Sequence, residues 1–105
     1  MELNWRDLTT NMDSKIEKAR NDAMEAIANA KIGNFDKAHE RMNFSNIAID
    51  EAKDIYSDIM QFESRGNTLP YKVIFVNSTS LLATVEGLIL MAQEIINVYK
   101  KIPQK

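Results

Sequence analysis

The stretch A-K-I-G-N-F-D-K-A, residues 30–38, places a short break inside a long helical pattern. Gly33 can adopt the left-handed backbone that ends a helix, because it has no Cβ to clash. Asn34 can cap the following helix by accepting a hydrogen bond on its side-chain oxygen. Because the break is so short, the helices on its two sides are predicted to pack antiparallel.

Both flanking segments carry a stripe of mainly apolar residues three and four positions apart, which is helical spacing. The first stripe is Leu8, Met12, Ile16, Ala19, Ala23, Ala26, Ile27 and Ala30. The second stripe is Phe35, Ala38, Met42, Ser45, Ile49, Ala52, Tyr56, Ile59 and Phe62. Strand-like alternation is absent, so both segments are predicted to be helices.

A second break lies at R-G-N-T-L-P, residues 65–70. We expect Gly66 to end the second helix, and Asn67 or Thr68 to cap the third. Pro70 suits the first turn of that helix, since no hydrogen-bonded N–H is needed there.

A third helix is expected to stop at Pro103. Helices joined by such short loops predict an all-α fold, an antiparallel up-down-up three-helix bundle. Residues 1–105 are expected to form a single domain, given the length of the chain.

The third helix is more apolar than a monomeric bundle requires, where about three of seven positions face the core. Its predicted seam repeats every seven residues: Ile74, Leu81, Leu88, Ile95 and Ile102. Its predicted water-facing stripe is Thr79, Glu86, Gln93 and Lys100. We therefore expect self-association through this helix, with a neighbouring helix close to Gly87.

Composition excludes several classes of chemistry. The chain has no cysteine, so disulfides, thiolate metal sites and a cysteine nucleophile are ruled out. A net charge of −2 favours no nucleic-acid partner. No basic region followed by an apolar run opens the chain, and Glu86, Gln93 and Glu94 interrupt its longest apolar stretch. We expect no secretory signal, no membrane insertion and a cytoplasmic location.

Several ordered motifs resemble enzyme IIA of the lactose/cellobiose type, from the bacterial phosphoenolpyruvate-dependent sugar phosphotransferase system. Residues 19–27 and 30–38 match the family patterns A-R-x-x-A-x-E-A-L and A-K-x-G-x-F-x-x-A. Residues 48–52 match A-L-x-E-A, with Lys53 where the family has histidine. Residues 94–101 resemble the ending E-I-I-E-L-Y-K.

The resemblance implies a cytoplasmic subunit that forms homotrimers through helix three. Such subunits accept a phosphoryl group from the carrier protein HPr on a helix-three histidine and pass it to enzyme IIB. The family frame V-H-A-Q-D-H-L falls on residues 76–82, V-N-S-T-S-L-L. Asn77 therefore stands at the phosphoacceptor, Ser80 at an aspartate that can hold a divalent metal, and Leu81 at a second histidine.

These differences oppose the family's chemistry. The nitrogen lone pair of an amide is delocalised into its carbonyl, so Asn77 is not a competent phosphoacceptor. We expect Ser78, Thr79, Ser80, Leu81 and Thr84 to line what remains of the pocket. Asn77, Ser80 and Thr84 lie on one edge of the helix, and we expect them either to form hydrogen bonds between helices or to bind a small ligand. Loss of the aspartate leaves no metal site there, and no cofactor is expected.

Two other features are interpreted as solvent-facing. His39 is the single histidine, and it lies off the second stripe on another helix, which argues against a relocated phosphoacceptor. Asp50, Asp54 and Asp58 form a carboxylate face on the second helix. The predicted function is an enzyme IIA component unable to carry phosphate, with HPr and enzyme IIB as partners. The alternative is a non-catalytic helical adaptor or regulatory interaction protein.

Overall fold

The computed structural model describes residues 5–66 and 72–103, which form three helices. Helix α1 spans Trp5–Lys31, α2 spans Phe35–Ser64 and α3 spans Lys72–Lys101. The all-α prediction is confirmed, since the described part of the chain contains no strand. Helix α3 ends just before Pro103, as predicted.

The first turn has the hydrogen bonds of a Schellman motif. Gly33 has a φ of +80°, and its N–H donates to the carbonyl of Ala30 at 3.0 Å. The N–H of Asn34 reaches back to the carbonyl of Asn29 at 2.9 Å. The side chain of Asn34 then accepts from the N–H of Lys37, so the predicted cap of α2 is confirmed.

The second break begins at Gly66, whose φ of +88° ends α2 as predicted. The proposed caps Asn67 and Thr68, and the helix-starting Pro70, lie outside the described residues.

Contacts between α1 and α2 establish that these helices are antiparallel. Lys15 Nζ lies 2.8 Å from Glu51 Oε2, and Ser45 Oγ donates to the carbonyl of Ala19 at 2.7 Å. A later residue of α1 thus contacts an earlier residue of α2, as expected for two antiparallel helices.

Contacts between α2 and α3 show the same arrangement. Lys53 Nζ lies 2.9 Å from Glu86 Oε2, and Lys100 Nζ contacts the Nε2 atom of His39. Helix α3 consequently runs parallel to α1, which confirms the up-down-up bundle.

The core confirms the predicted stripes of α1 and α2. Met12, Ile16 and Ile59 are fully buried at its centre. Phe35, Tyr56 and Phe62 pack against its edge and are partly buried.

The predicted seam of α3 was wrong, because residues next to it on the helix surface face the core instead. The residues of α3 that enter the core are Phe75, Leu82, Val85, Ile89, Ala92 and Ile96. In the predicted row, Leu81 and Ile102 are 38% and 46% exposed, Leu88 and Ile95 are only partly buried, and the side chain of Ile74 is outside the described part. Several rows of this helix are apolar, so periodicity alone could not decide which one faces α1 and α2.

The predicted water-facing stripe of α3 lies along its α2 edge. Glu86 and Lys100 make the contacts to α2 described above, and Gln93 Nε2 donates to Asn97 Oδ1 at 3.0 Å. Thr79, Glu86 and Gln93 are half-buried, so the stripe is less exposed than predicted, and Glu86 and Lys100 lie at the rim of the α2–α3 contact.

By length and composition, the segment Phe75–Lys101 of α3 could cross a membrane. This differs from the expectation that Glu86, Gln93 and Glu94 leave the apolar stretch too short to span a membrane. In the bundle, one face of the segment is buried on α1 and α2. A helix that packs into the core of a helical bundle can be equally apolar.

Candidate functional site

Asn77 lies near the start of α3 and is exposed. It lines a cavity of about 290 Å³ together with Asp13, Ser78 and Leu81. Asp13 belongs to α1, so the cavity is formed where the N-terminal parts of these two parallel helices meet.

Ser78 and Leu81 form contrasting walls of this cavity. Ser78 is 3% exposed and belongs to the row of α3 that faces the bundle interior, so its hydroxyl is not available to a bulky reactant. Leu81 is 38% exposed and contributes an apolar wall. Of the predicted pocket residues, the structure thus brings Asn77, Ser78 and Leu81 together.

The remaining predicted pocket residues lie elsewhere. Thr79 lines a separate cavity of about 400 Å³ on the α2 side, and its hydroxyl donates to the carbonyl of Phe75 at 2.9 Å. The Thr84 hydroxyl donates to the carbonyl of Ser80 at 3.0 Å. Ser80 and Thr84 are exposed and do not line the Asn77 cavity. The two threonine hydroxyls bond back to their own helix and not between helices.

Asp13 is a site residue that the sequence analysis missed. Its Oδ1 atom is buried, and no described residue gives it a hydrogen bond. The available signal was its position three residues before Ile16, at the edge of the apolar stripe of α1. That signal could not be used without knowing which helix lay beside this edge.

His39 is exposed on α2, as predicted, and contacts Lys100 near the end of α3. Lys100 and Asn77 are 23 positions apart on α3, or roughly 35 Å at the helical rise per residue. The imidazole is therefore too far from the Asn77 cavity to accept a phosphoryl group there.

The carboxylate face of α2 is solvated, as predicted. Asp50, Asp54 and Asp58 are all exposed. Within residues 5–66 and 72–103, no group of three His, Cys, Asp or Glu side chains is arranged to hold a metal ion.

Charged groups on α1 serve structural roles. The Asp22 side chain is 8% exposed and lies 2.7 Å from Lys18 Nζ and 3.7 Å from Arg41 Nη1 of α2. Glu17 is exposed, and its hydrogen bond from Arg20 lowers the pKa of the Glu17 carboxyl below its usual value. Arg20 lies seven positions beyond Asp13, two turns along the same edge of α1.

A family model described as the lactose/cellobiose-specific IIA subunit of the phosphotransferase system matches residues 11–100. The chain belongs to this family. The match confirms the resemblance inferred from the motifs, and it disfavours an adaptor unrelated to sugar uptake.

Two relatives agree with this assignment. The lichenan-specific phosphotransferase enzyme IIA component of Bacillus subtilis is 29% identical over 86 residues, covering 82% of this chain and 78% of the relative. The crystal structure of the cellobiose-specific enzyme IIA from Bacillus anthracis matches with a TM-score of 0.88 and 29% identity. That match covers 96% of this chain and 93% of the solved one.

Proposed function

We propose that this IIA subunit binds phosphotransferase partners but does not carry phosphate itself. The observation that carries the proposal is the exposed amide of Asn77, which lines the α1–α3 cavity where the family resemblance places the phosphoacceptor histidine. An amide nitrogen offers no lone pair for attack on phosphorus. The fold of a IIA subunit is thus retained without its nucleophile.

The groups around Asn77 do not replace that nucleophile. Ser78 is buried, and the hydroxyls of Thr79 and Thr84 donate to carbonyls of their own helix. A hydroxyl also needs an adjacent base to become reactive. The carboxylate of Asp13 lines the same cavity, and as an anion it would repel an incoming phosphoryl group.

The partners we propose are HPr and enzyme IIB, met in the cytoplasm, which family membership supports. Binding without transfer would make this subunit a competitor or a scaffold for these partners. Lichenan and cellobiose are the specificities in the names of the two relatives, so systems for these two carbohydrates are the first to test.

We also propose a homotrimer assembled through α3. Leu90, Met91 and Val98 of this helix are 71%, 63% and 58% exposed, although they are large and apolar. A helix that is apolar on nearly all sides is normally buried. Space for a side chain is open at Gly87 among the described residues, so the close approach expected there would have to come from a second copy.

The phosphate-transfer part is tested by incubating the protein with labelled phosphoenolpyruvate, enzyme I and HPr. We expect no acid-labile phosphate on this chain, while the B. subtilis lichenan-specific component, run in parallel, is labelled. Stoichiometric label on this chain would overturn the proposal, and mapping the label would identify the acceptor.

The binding part is tested by titrating HPr or an enzyme IIB of the cellobiose type into the protein and measuring heat. We expect saturable binding with unphosphorylated and phosphorylated partners alike. Absence of binding to every partner from the same genome would contradict a role in the transport system.

A further inference from the structure

Glu94 lies in the middle of the exposed apolar face of α3. On a helix surface, the neighbours of a residue are three and four positions away, which for Glu94 are Leu90, Met91, Asn97 and Val98. Leu90, Met91 and Val98 are the most exposed large apolar residues in the described part of α3. Any protein surface that covers these three side chains will therefore cover Glu94 as well.

We propose that Glu94 makes self-association through α3 sensitive to pH, with the trimer favoured in mild acid and weakened as the pH rises. The inference rests on the proposed function in one respect, since it assigns a regulation to the trimer proposed above. It does not depend on phosphate transfer or on the binding of phosphotransferase partners.

The first support is the direction in which Glu94 points. Glu94 is exposed, whereas Ala92 and Ile96, two positions before and after it, are fully buried. Residues two positions apart lie on nearly opposite sides of a helix. The carboxylate therefore faces away from α1 and α2, and no charged group of the described parts of these helices faces it.

The second support is that no described basic side chain forms an ion pair with Glu94. Lys53 pairs with Glu86, and Lys100 contacts α2. Lys101 lies on the same side of α3 as Glu94, but seven positions further on, which is roughly 10 Å at the helical rise per residue. Water balances the charge of Glu94 in the single chain, and a covering surface would remove that water.

The third support comes from symmetry. A closed trimer of identical chains has a three-fold axis, so each residue that faces the axis lies at the same height as its two copies. Packed helices approach to about 8–10 Å between their axes. Gly87, two turns before Glu94, carries no side chain that would hold the helices apart. Assembly through this face would therefore bring three Glu94 carboxylates together.

Carboxylates that share one site repel each other, and this repulsion favours the protonated form. A protonated carboxyl can also donate a hydrogen bond to its neighbour. The trimer would consequently bind more protons than three separate chains. By linkage, a state that binds more protons is favoured as the pH falls, which gives the sign of the proposed effect.

The test is sedimentation equilibrium of the full chain in EDTA at two pH values. Uptake of one proton per trimer between about pH 6 and about pH 8 changes the association constant by about a hundredfold. Because three chains combine, the protein concentration at half-dissociation then changes by about tenfold, the square root of that factor. We expect this concentration to be at least about tenfold higher at the higher pH.

Glu94→Gln removes the charge and keeps the size of the side chain. We expect its trimer to be equally strong at both pH values, and stronger than the parent trimer at the higher one. Glu40→Gln, at an exposed position of α2, removes the same charge elsewhere and should keep the pH dependence of the parent. His39→Gln should keep it too, which excludes the imidazole, a group that ordinarily changes charge in this range. Circular dichroism will show that all three variants are folded.

The outcomes separate this inference from the proposed trimer. A parent trimer of equal strength at both pH values, or a Glu94→Gln trimer with the pH dependence of the parent, would overturn the inference and leave the trimer standing. Monomers at both pH values for the parent and for Glu94→Gln would reject the trimer and this inference together. Phosphate transfer and partner binding are measured independently, so that result would not affect those parts of the proposed function.

Discussion

The hydroxyl of Ser45 donates a 2.7 Å hydrogen bond to the carbonyl of Ala19 and joins α2 to α1 inside the core. Both residues are fully buried. We expect Ser45→Ala to lower the free energy of unfolding by about 1 kcal/mol, the net value of one such bond. Urea denaturation followed by circular dichroism measures this change. Ser57→Ala, at an exposed position of α2, should change stability by less than about 0.5 kcal/mol, and an equal loss in both variants would refute the assignment.

Met91 provides a test of self-association that leaves the bundle itself intact. It is 63% exposed in the single chain, so Met91→Lys should cost the fold less than about 0.5 kcal/mol. In a trimer packed through α3, the same lysine would be buried without a partner and would dissociate the assembly. Sedimentation equilibrium at micromolar protein will show a trimer for the parent chain and a monomer for the variant. The control is Lys37→Met, the opposite change at an exposed position of α2. It should leave the trimer unchanged.

Restoring an imidazole should restore some phosphate acceptance. We expect Asn77→His to acquire acid-labile phosphate from HPr, because imidazole has a free ring-nitrogen lone pair near neutral pH. The carboxylate of Asp13 in the same cavity should slow this reaction. Adding Asp13→Asn should speed labelling by about tenfold, equivalent to about 1.4 kcal/mol of the barrier. Equal labelling rates with and without Asp13 would show that its charge does not reach the reacting group.

The Glu17–Arg20 pair predicts a local pH dependence. Arg20 lowers the pKa of Glu17 in the folded chain, chiefly through their hydrogen bond. A carboxyl with a lowered folded pKa contributes stability above its unfolded pKa and loses that contribution as pH falls through the folded value. Arg20→Gln should therefore raise the Glu17 pKa toward its ordinary value, as read from a ¹³C carboxyl titration by NMR. Lys37→Gln on α2 should leave it unchanged.

The sequence predicted the helices because each relevant signal was local. Gly33 and Asn34 specify a helix end and a helix start within adjacent residues, and the α1 and α2 stripes contain a single apolar face each. Helix α3 could not be oriented in this way. Its rows through Leu81 and Leu82 are both apolar, and only the packing of α1 and α2 selects Leu82 for the core.

The candidate site was predicted in part for a related reason. Asn77, Ser78 and Leu81 could be located because they are close in sequence and fall within one family motif. Asp13 is 64 positions before Asn77, and the parallel course of α1 and α3 brings it to the same cavity. Thr79 and Thr84 could not be excluded by motif alone, since the hydroxyl directions depend on the carbonyls of Phe75 and Ser80.

The two polar contacts between α2 and α3 described above have one common spacing. His39 and Lys53 are 14 positions apart on α2, as are Glu86 and Lys100 on α3. Both contacts can therefore form together only when α2 and α3 keep this register along their lengths. Insertion of one residue between His39 and Lys53 would rotate one end of α2 by about 100° relative to the other, since a turn holds 3.6 residues, and both contacts could no longer form together. A change in the number of residues between the linked positions of either helix is therefore expected to break at least one of the two contacts.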